Sequence, residues 1–103
     1  GAAGLSTHWV GSGQPNAAIP LAAFNYLRDH LAPPDGHRLY QDHGTTELDA
    51  IYAPYQRFVD EIVRDRGYTA ANSQSRVFEG AGHNEWAWAA RLDSVLSFLL
   101  ATR

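Results

Sequence analysis

The chain has 103 residues, no cysteine and a formal net charge of −3, with 45% hydrophobic and 18% charged residues. This composition is typical of one globular domain, and it rules out disulfides and cysteine-ligated metal sites. Its eight basic residues are all arginines scattered along the chain, and its apolar runs are much shorter than the roughly 20 residues of a membrane helix, so we expect neither a nucleic-acid nor a membrane partner.

The first predicted unit is a short strand followed by a helix. The small apolar residues 2–6 favour a buried strand, and a loop rich in Gly, Ser and Pro follows over residues 7–15. Asn16 is a candidate N-cap for a helix that continues to about Leu31. Pro20 falls near the beginning of that helix, where its missing N–H is tolerated. A Pro-Pro-Asp-Gly sequence after the helix predicts a turn.

The second predicted unit is a strand over residues 37–42, a turn over 43–45 and a long helix. Thr46 is a natural N-cap, and Asp49, three residues later, completes a pattern similar to a capping box. Apolar residues then repeat at spacings of three and four to about residue 66, as in an amphipathic helix. Pro54 predicts a bend or a break near the beginning of this helix.

The third predicted unit is a strand over residues 74–78, a loop over 79–84 and a final helix. Trp86 and Trp88 lie on neighbouring positions of that helix, so at most one of them can point fully into the core. Strands that alternate with helices in this way predict a parallel sheet with helices on its faces. The predicted fold class is therefore α/β, built from three βα units.

Candidate functional residues follow the predicted strands, at the sheet edge where parallel α/β proteins form their sites. The loop after the third strand contains His83, and the loop after the second contains an acidic residue. A histidine and a carboxylate are the base and the orienting acid of a hydrolase triad. His8 and Trp9, after the first strand, are candidates to line the same edge and bind substrate.

Three carboxylates compete for the acid position: Glu47, Asp42 and Asp49. Glu47 is favoured, although a glutamate at a helix N-terminus is also stabilised by the helix dipole, and Asp49 fits a capping role. A metal site from His43, Glu47 and His83 is conceivable by residue type, but the spacing matches no known metal motif, so we expect no metal and no cofactor. His43 is otherwise interpreted as a turn residue.

The stretch HRLYQDHGTTELDAIYAPYQRFVDEIVRDRGY, followed by RVFEGAGHNEWAWAARLDSVLSFLL, resembles the C-terminal third of one α/β-hydrolase branch. That branch includes S-formylglutathione hydrolases, iron-siderophore esterases and mycolyltransferases. The resemblance covers essentially the whole chain and implies a single partial α/β-hydrolase domain over residues 1–103. It puts Glu47 in DHGTTE at the triad acid and His83 in GAGHNE at the triad histidine. The STHW segment resembles the loop after the sixth strand, so Trp9 would border the substrate pocket.

The resemblance implies that the nucleophile elbow, the oxyanion hole and five further strands precede Gly1. No G-x-S-x-G sequence is present, and the chain lacks methionine, as expected of a processed product or a fragment. We therefore expect the chain to be the C-terminal portion of a serine hydrolase that acts on esters or thioesters, and to be inactive on its own. A small esterase that uses Ser6 or Ser12 with His83 is a further interpretation.

An alternative of a different class is a non-catalytic α/β domain that associates through its first strand. An unpaired apolar strand edge pairs readily with a second copy of the chain, or with a missing N-terminal half. The prediction for the isolated chain is a homodimer with a continuous sheet. No signal peptide is visible, which favours a cytoplasmic location, and the arginine-rich, lysine-free composition suits a bacterial gene.

Overall fold

Three strands alternate with helices in the computed structural model, which describes residues 2–11 and 17–101. The predicted α/β class with three βα units is confirmed. In chain order the elements are β1 (Ala2–Leu5), α1 (Ala18–His30), β2 (Leu39–Gly44), a 3₁₀ helix (Glu47–Ile51), α2 (Ala53–Asp65), β3 (Ser73–Phe78) and α3 (Glu85–Leu99).

The strands form one parallel sheet in the order β1-β2-β3. Leu5, the last residue of β1, lies beside Asp42 of β2, and Gly44, the last residue of β2, lies beside Phe78 of β3. All three strands run in the same direction, so their carboxyl ends meet at one edge of the sheet. The loops that follow β1, β2 and β3 therefore lie side by side there.

The two faces of the sheet bury different cores. Successive strand residues point to opposite faces, so Leu39 packs on the side of α1 and α2 while Tyr40 packs under α3. The first core consists of the buried residues Phe24, Val59, Ile62, Val63 and Tyr68. The second consists of the buried residues Tyr40, Val95 and Phe98. Hydrophobic burial on both faces fixes the plane of the sheet, and with it the positions of the strand ends.

The segment after β2 begins differently from the prediction. Thr46 precedes a 3₁₀ helix rather than an α-helix, and its side chain makes no capping hydrogen bond, so the capping box with Asp49 is absent. The α-helix α2 begins at Ala53, with Pro54 in its first turn. The break predicted at Pro54 is confirmed, and its cause is that proline fits the first turn of a helix but not its interior.

β2 extends two residues further than predicted, to Gly44. His43 is therefore a buried strand residue and not a turn residue, with a relative exposure of 4%. Its Nδ1 lies 2.7 Å from the carbonyl oxygen of Gly44. β1 forms over nearly the predicted residues, but Ala2 and Ala3 are exposed rather than buried, because β1 is an outer strand.

The first and last helices can be compared with the ends predicted for them. The helix α1 covers most of the predicted range, and the predicted N-cap Asn16 lies outside the described residues. The helix α3 begins after Asn84, whose side chain accepts a hydrogen bond from the amide of Ala87. Within the part of the chain that the structure describes, no helix is both long and apolar enough to cross a membrane.

Candidate functional site

The candidate site lies at the carboxyl ends of the strands, where two non-glycine residues have positive φ angles. Ser6, directly after β1, has φ 51°, and Glu47, in the segment after β2, has φ 56°. Residues other than glycine adopt this left-handed conformation rarely, and such strain concentrates at functional sites. At this edge the backbone is held in turns that bring several polar side chains together.

Asp49 is the buried carboxylate of the site, with a relative exposure of 1%. Its Oδ2 accepts a hydrogen bond from the Ser6 hydroxyl at 2.5 Å and another from the Gly44 amide at 2.6 Å. Its Oδ1 lies 3.0 Å from Nδ1 of His83. A buried charge is tolerated only when donors surround it, and here three different segments of the chain each supply one.

His83 lies in the loop between β3 and α3, with its side chain 27% exposed. Its Nδ1 faces the Asp49 carboxylate, and its ring makes an edge contact with Trp88, with 5.1 Å between ring centroids. A carboxylate only accepts hydrogen bonds, so His83 must carry its proton on Nδ1. Nε2 of the neutral ring then has a free lone pair, which is the arrangement of a general base.

The loop that carries His83 is packed directly on the end of β2. The amides of Thr45 and Thr46 donate hydrogen bonds to the carbonyl oxygen of Ala81 at 2.9 and 3.1 Å. Gly44 has no room for a Cβ atom, which would meet the backbone of Ala81. Glycine at this position therefore allows the close approach that brings His83 within reach of Asp49.

A buried ion pair lies under the site, between the sheet and α3. The Arg91 side chain is 2% exposed and donates to both carboxylate oxygens of Asp42, at 2.8 and 3.0 Å. Tyr40 donates its hydroxyl hydrogen to the same carboxylate, and both burial and this carboxylate raise the pKa of the Tyr40 phenol. Arg91 also donates to the Ser6 hydroxyl at 3.0 Å, so the ion pair is connected through Ser6 to Asp49.

Tyr52 and His8 complete the described site. The Tyr52 hydroxyl lies 2.6 Å from Nδ1 of His8 and 3.4 Å from Nδ1 of His83. The ring centroids of His8 and His83 are 6.2 Å apart. Burial, together with the negative charge of Asp49, raises the pKa of Tyr52 to about 12, so it is a neutral phenol at physiological pH.

The residues predicted for the site are only partly brought together. Glu47 accepts a hydrogen bond from Asn84 at 2.6 Å, and the structure puts Asp49 rather than Glu47 against His83. His8 lies next to His83, whereas the indole of Trp9 donates to Gln56 on α2 and packs against the first core. The substrate-binding roles of His8 and Trp9 stay predictions.

The other candidates are the two serines and the metal ligands. Ser6 is 2% exposed and bonds to Asp49 and Arg91, and Ser12 lies outside the described residues. Over residues 2–11 and 17–101, no group of three or more histidine, aspartate or glutamate side chains is arranged to hold a metal ion.

Sequence reasoning missed three residues of the site. In the sequence Tyr52 belongs to the apolar repeat of the second predicted helix, Trp88 is a candidate core residue, and Arg91 is one of the scattered arginines. The spacing of Asp49 and Tyr52 was an available signal, because residues three apart lie on the same side of a helical turn. No sequence signal connects Arg91 to Asp42, which is 49 residues away.

Comparisons with known proteins gave no relative for this chain. No protein-family model matches it, and no match was found among curated proteins or among solved structures. The function is therefore inferred from the geometry of the site, together with the sequence resemblance described above.

We expect Asp49→Asn to lower the free energy of unfolding by about 1–3 kcal/mol, because a neutral amide replaces the charged acceptor of two buried donors, the Ser6 hydroxyl and the Gly44 amide, and both hydrogen bonds become weaker. The matched variant Glu47→Gln changes an exposed carboxylate and should alter stability by no more than about 0.5 kcal/mol. Urea denaturation followed by circular dichroism measures both. Equal losses in the two variants would contradict the structural difference between the carboxylates.

Proposed function

We propose that His83 and Asp49 are the base and the orienting acid of a serine-type hydrolase of esters or thioesters. The observation that supports this most is the contact of His83 Nδ1 with a fully buried carboxylate, while the ring keeps partial contact with solvent. In a triad the acid fixes the tautomer of the base and stabilises the imidazolium that forms. Asp49, and not Glu47, is the acid in this proposal.

The position of the pair in the fold also supports the proposal. Asp49 follows β2 and His83 follows β3, so both lie at the carboxyl edge of a parallel sheet. Acid before histidine in the chain is the order found in α/β-hydrolases. The resemblance noted in the sequence points to the same class.

The proposed reaction needs a hydroxyl that His83 can deprotonate. Among the described residues no hydroxyl is hydrogen-bonded to Nε2 of His83, and the Ser6 hydroxyl is engaged with Asp49. In this proposal the serine therefore comes from outside the described residues. Its oxygen attacks the acyl carbon while His83 takes its proton, and the leaving alcohol or thiol then receives that proton. Water hydrolyses the acyl-serine with the same base.

We expect the chain to increase the release of p-nitrophenolate from p-nitrophenyl acetate when trifluoroethanol is added as a substitute nucleophile. His83→Gln should lower this protein-dependent rate by at least roughly tenfold, since a positioned base contributes a factor of about 10² or more. His37→Gln removes an exposed histidine far from the pair and serves as the matched control. Equal rates for wild type and His83→Gln would contradict the proposal.

A second candidate function is association through β1. This strand lies at one end of the sheet order, its one partner among the described strands is β2, and two of its four residues are exposed. An open edge of this kind is a template for another strand. In this alternative a second copy of the chain extends the sheet, or a separate N-terminal half does so.

The amides of Ala2 and Ser6 donate to carbonyls of β2 and its flank, so by alternation the amide of Ala3 points to the open edge. If two copies pair there, Ala3→Pro should convert a dimer to a monomer, because proline removes that donor. Ala3→Ser keeps the amide and should stay dimeric. Size-exclusion chromatography with light scattering at micromolar concentration measures the mass, and a monomeric wild type would overturn this candidate.

A further inference from the structure

His8 and His83 present two imidazoles to the same side of the sheet edge, and Tyr52 stands between them. The Tyr52 hydroxyl is within hydrogen-bond reach of Nδ1 of both rings, but it has only one hydrogen to donate. The recipient of that hydrogen decides which nitrogen of His8 carries a proton. The surrounding contacts identify the recipient.

Donors and acceptors around Asp49 can be assigned one by one. Arg91 has only donors, so the Ser6 hydroxyl accepts from Arg91 and gives its own hydrogen to Oδ2 of Asp49. The Gly44 amide also donates to Oδ2. The carboxylate has no hydrogen to give, and Oδ1 therefore receives the hydrogen of His83 Nδ1.

This assignment leaves His8 as the acceptor for Tyr52. A protonated Nδ1 on His83 cannot accept a second hydrogen, so the 3.4 Å contact is not the hydrogen bond that Tyr52 donates. Tyr52 instead donates its hydrogen to Nδ1 of His8, at 2.6 Å. A neutral imidazole that accepts at Nδ1 carries its proton on Nε2. The two rings are thus held in opposite tautomers.

We propose that His8 is a ligand-binding residue of this site, whose Nε2–H donates to an acyl oxygen beside the unprotonated Nε2 of His83. The ring of His8 is exposed, and 6.2 Å between the ring centroids lets one small acyl group reach both imidazoles. The neutral donor of His8 suits a carbonyl or carboxylate oxygen, which accepts hydrogen bonds and cannot donate, while the adjacent base of His83 is left for the proton of the attacking hydroxyl. The assignment of the ligand class rests on the proposed function, whereas the tautomer of His8 does not.

The test is a long-range ¹⁵N–¹H NMR spectrum of the full chain at a mildly alkaline pH, where free imidazoles are neutral, followed by titration with acetate as the probe. In the wild type His8 should carry its proton on Nε2, and acetate should shift the ring signals of both His8 and His83. Tyr52→Phe should turn His8 into a mixture of tautomers and weaken acetate binding by roughly threefold to tenfold, the effect of one hydrogen bond. Tyr26→Phe removes an exposed hydroxyl beside His30 and should leave His8 unchanged.

His8→Ala tests the same proposal without touching the core, because His8 is exposed. It should weaken acetate binding at least as much as Tyr52→Phe. A proton on Nδ1 of His8, an unchanged His8 in Tyr52→Phe, or acetate shifts confined to His83 would overturn the proposal. These readouts concern His8, so they separate this inference from the hydrolase proposal, which fails on the His83→Gln rate.

Discussion

The structure depends on how the buried carboxylate of Asp49 is satisfied. Moving a carboxylate out of water costs several kcal/mol, and only donors fixed by the fold offset that cost. Ser6 provides one donor from the end of β1, Gly44 a second from the end of β2, and His83 a third from the loop after β3. Arg91 on α3 holds Ser6 in turn. A single carboxylate thus links all three βα units, and the site is part of what determines the fold at this edge.

This arrangement connects the electrostatics of the interior to the chemistry of the surface. Asp49 accepts from Nδ1 of His83 and leaves Nε2 as the basic nitrogen. Tyr52, kept neutral by burial and by the nearby carboxylate, donates to His8 and leaves a second, differently protonated imidazole beside the first. The protonation of the ring nitrogens that face solvent is therefore determined by the hydrogen bonds that Asp49 and Tyr52 make to the other nitrogen of each ring. An unprotonated Nε2 on one imidazole and a hydrogen-bond donor on the next both follow from one pattern of buried hydrogen bonds.

The sequence predicted the alternation of strands and helices, the break at Pro54 and the grouping of polar loops at one sheet edge, because hydrophobic periodicity and proline act locally. It could not identify the carboxylate that contacts His83. In the sequence Asp49 is one of three candidate acids, and its spacing from Thr46 also fits a capping residue, yet the segment folds as a 3₁₀ helix that begins at Glu47, a residue with positive φ. Side-chain direction in such a turn depends on the loop packed over it, here the backbone at Ala81, which only the tertiary structure shows.

The most direct test of this hydrogen-bond pattern is the position of the proton on the neutral imidazole of His83, read from the ¹⁵N shifts of its two ring nitrogens. We expect a protonated Nδ1 and an unprotonated Nε2 in the wild type, because the Asp49 carboxylate can only accept hydrogen bonds. This pattern should be lost in Asp49→Ala and kept in the control variant Glu47→Ala. A proton on Nε2 of His83 in the wild type would contradict the pairing with Asp49, and with it the proposed role of His83 as a base.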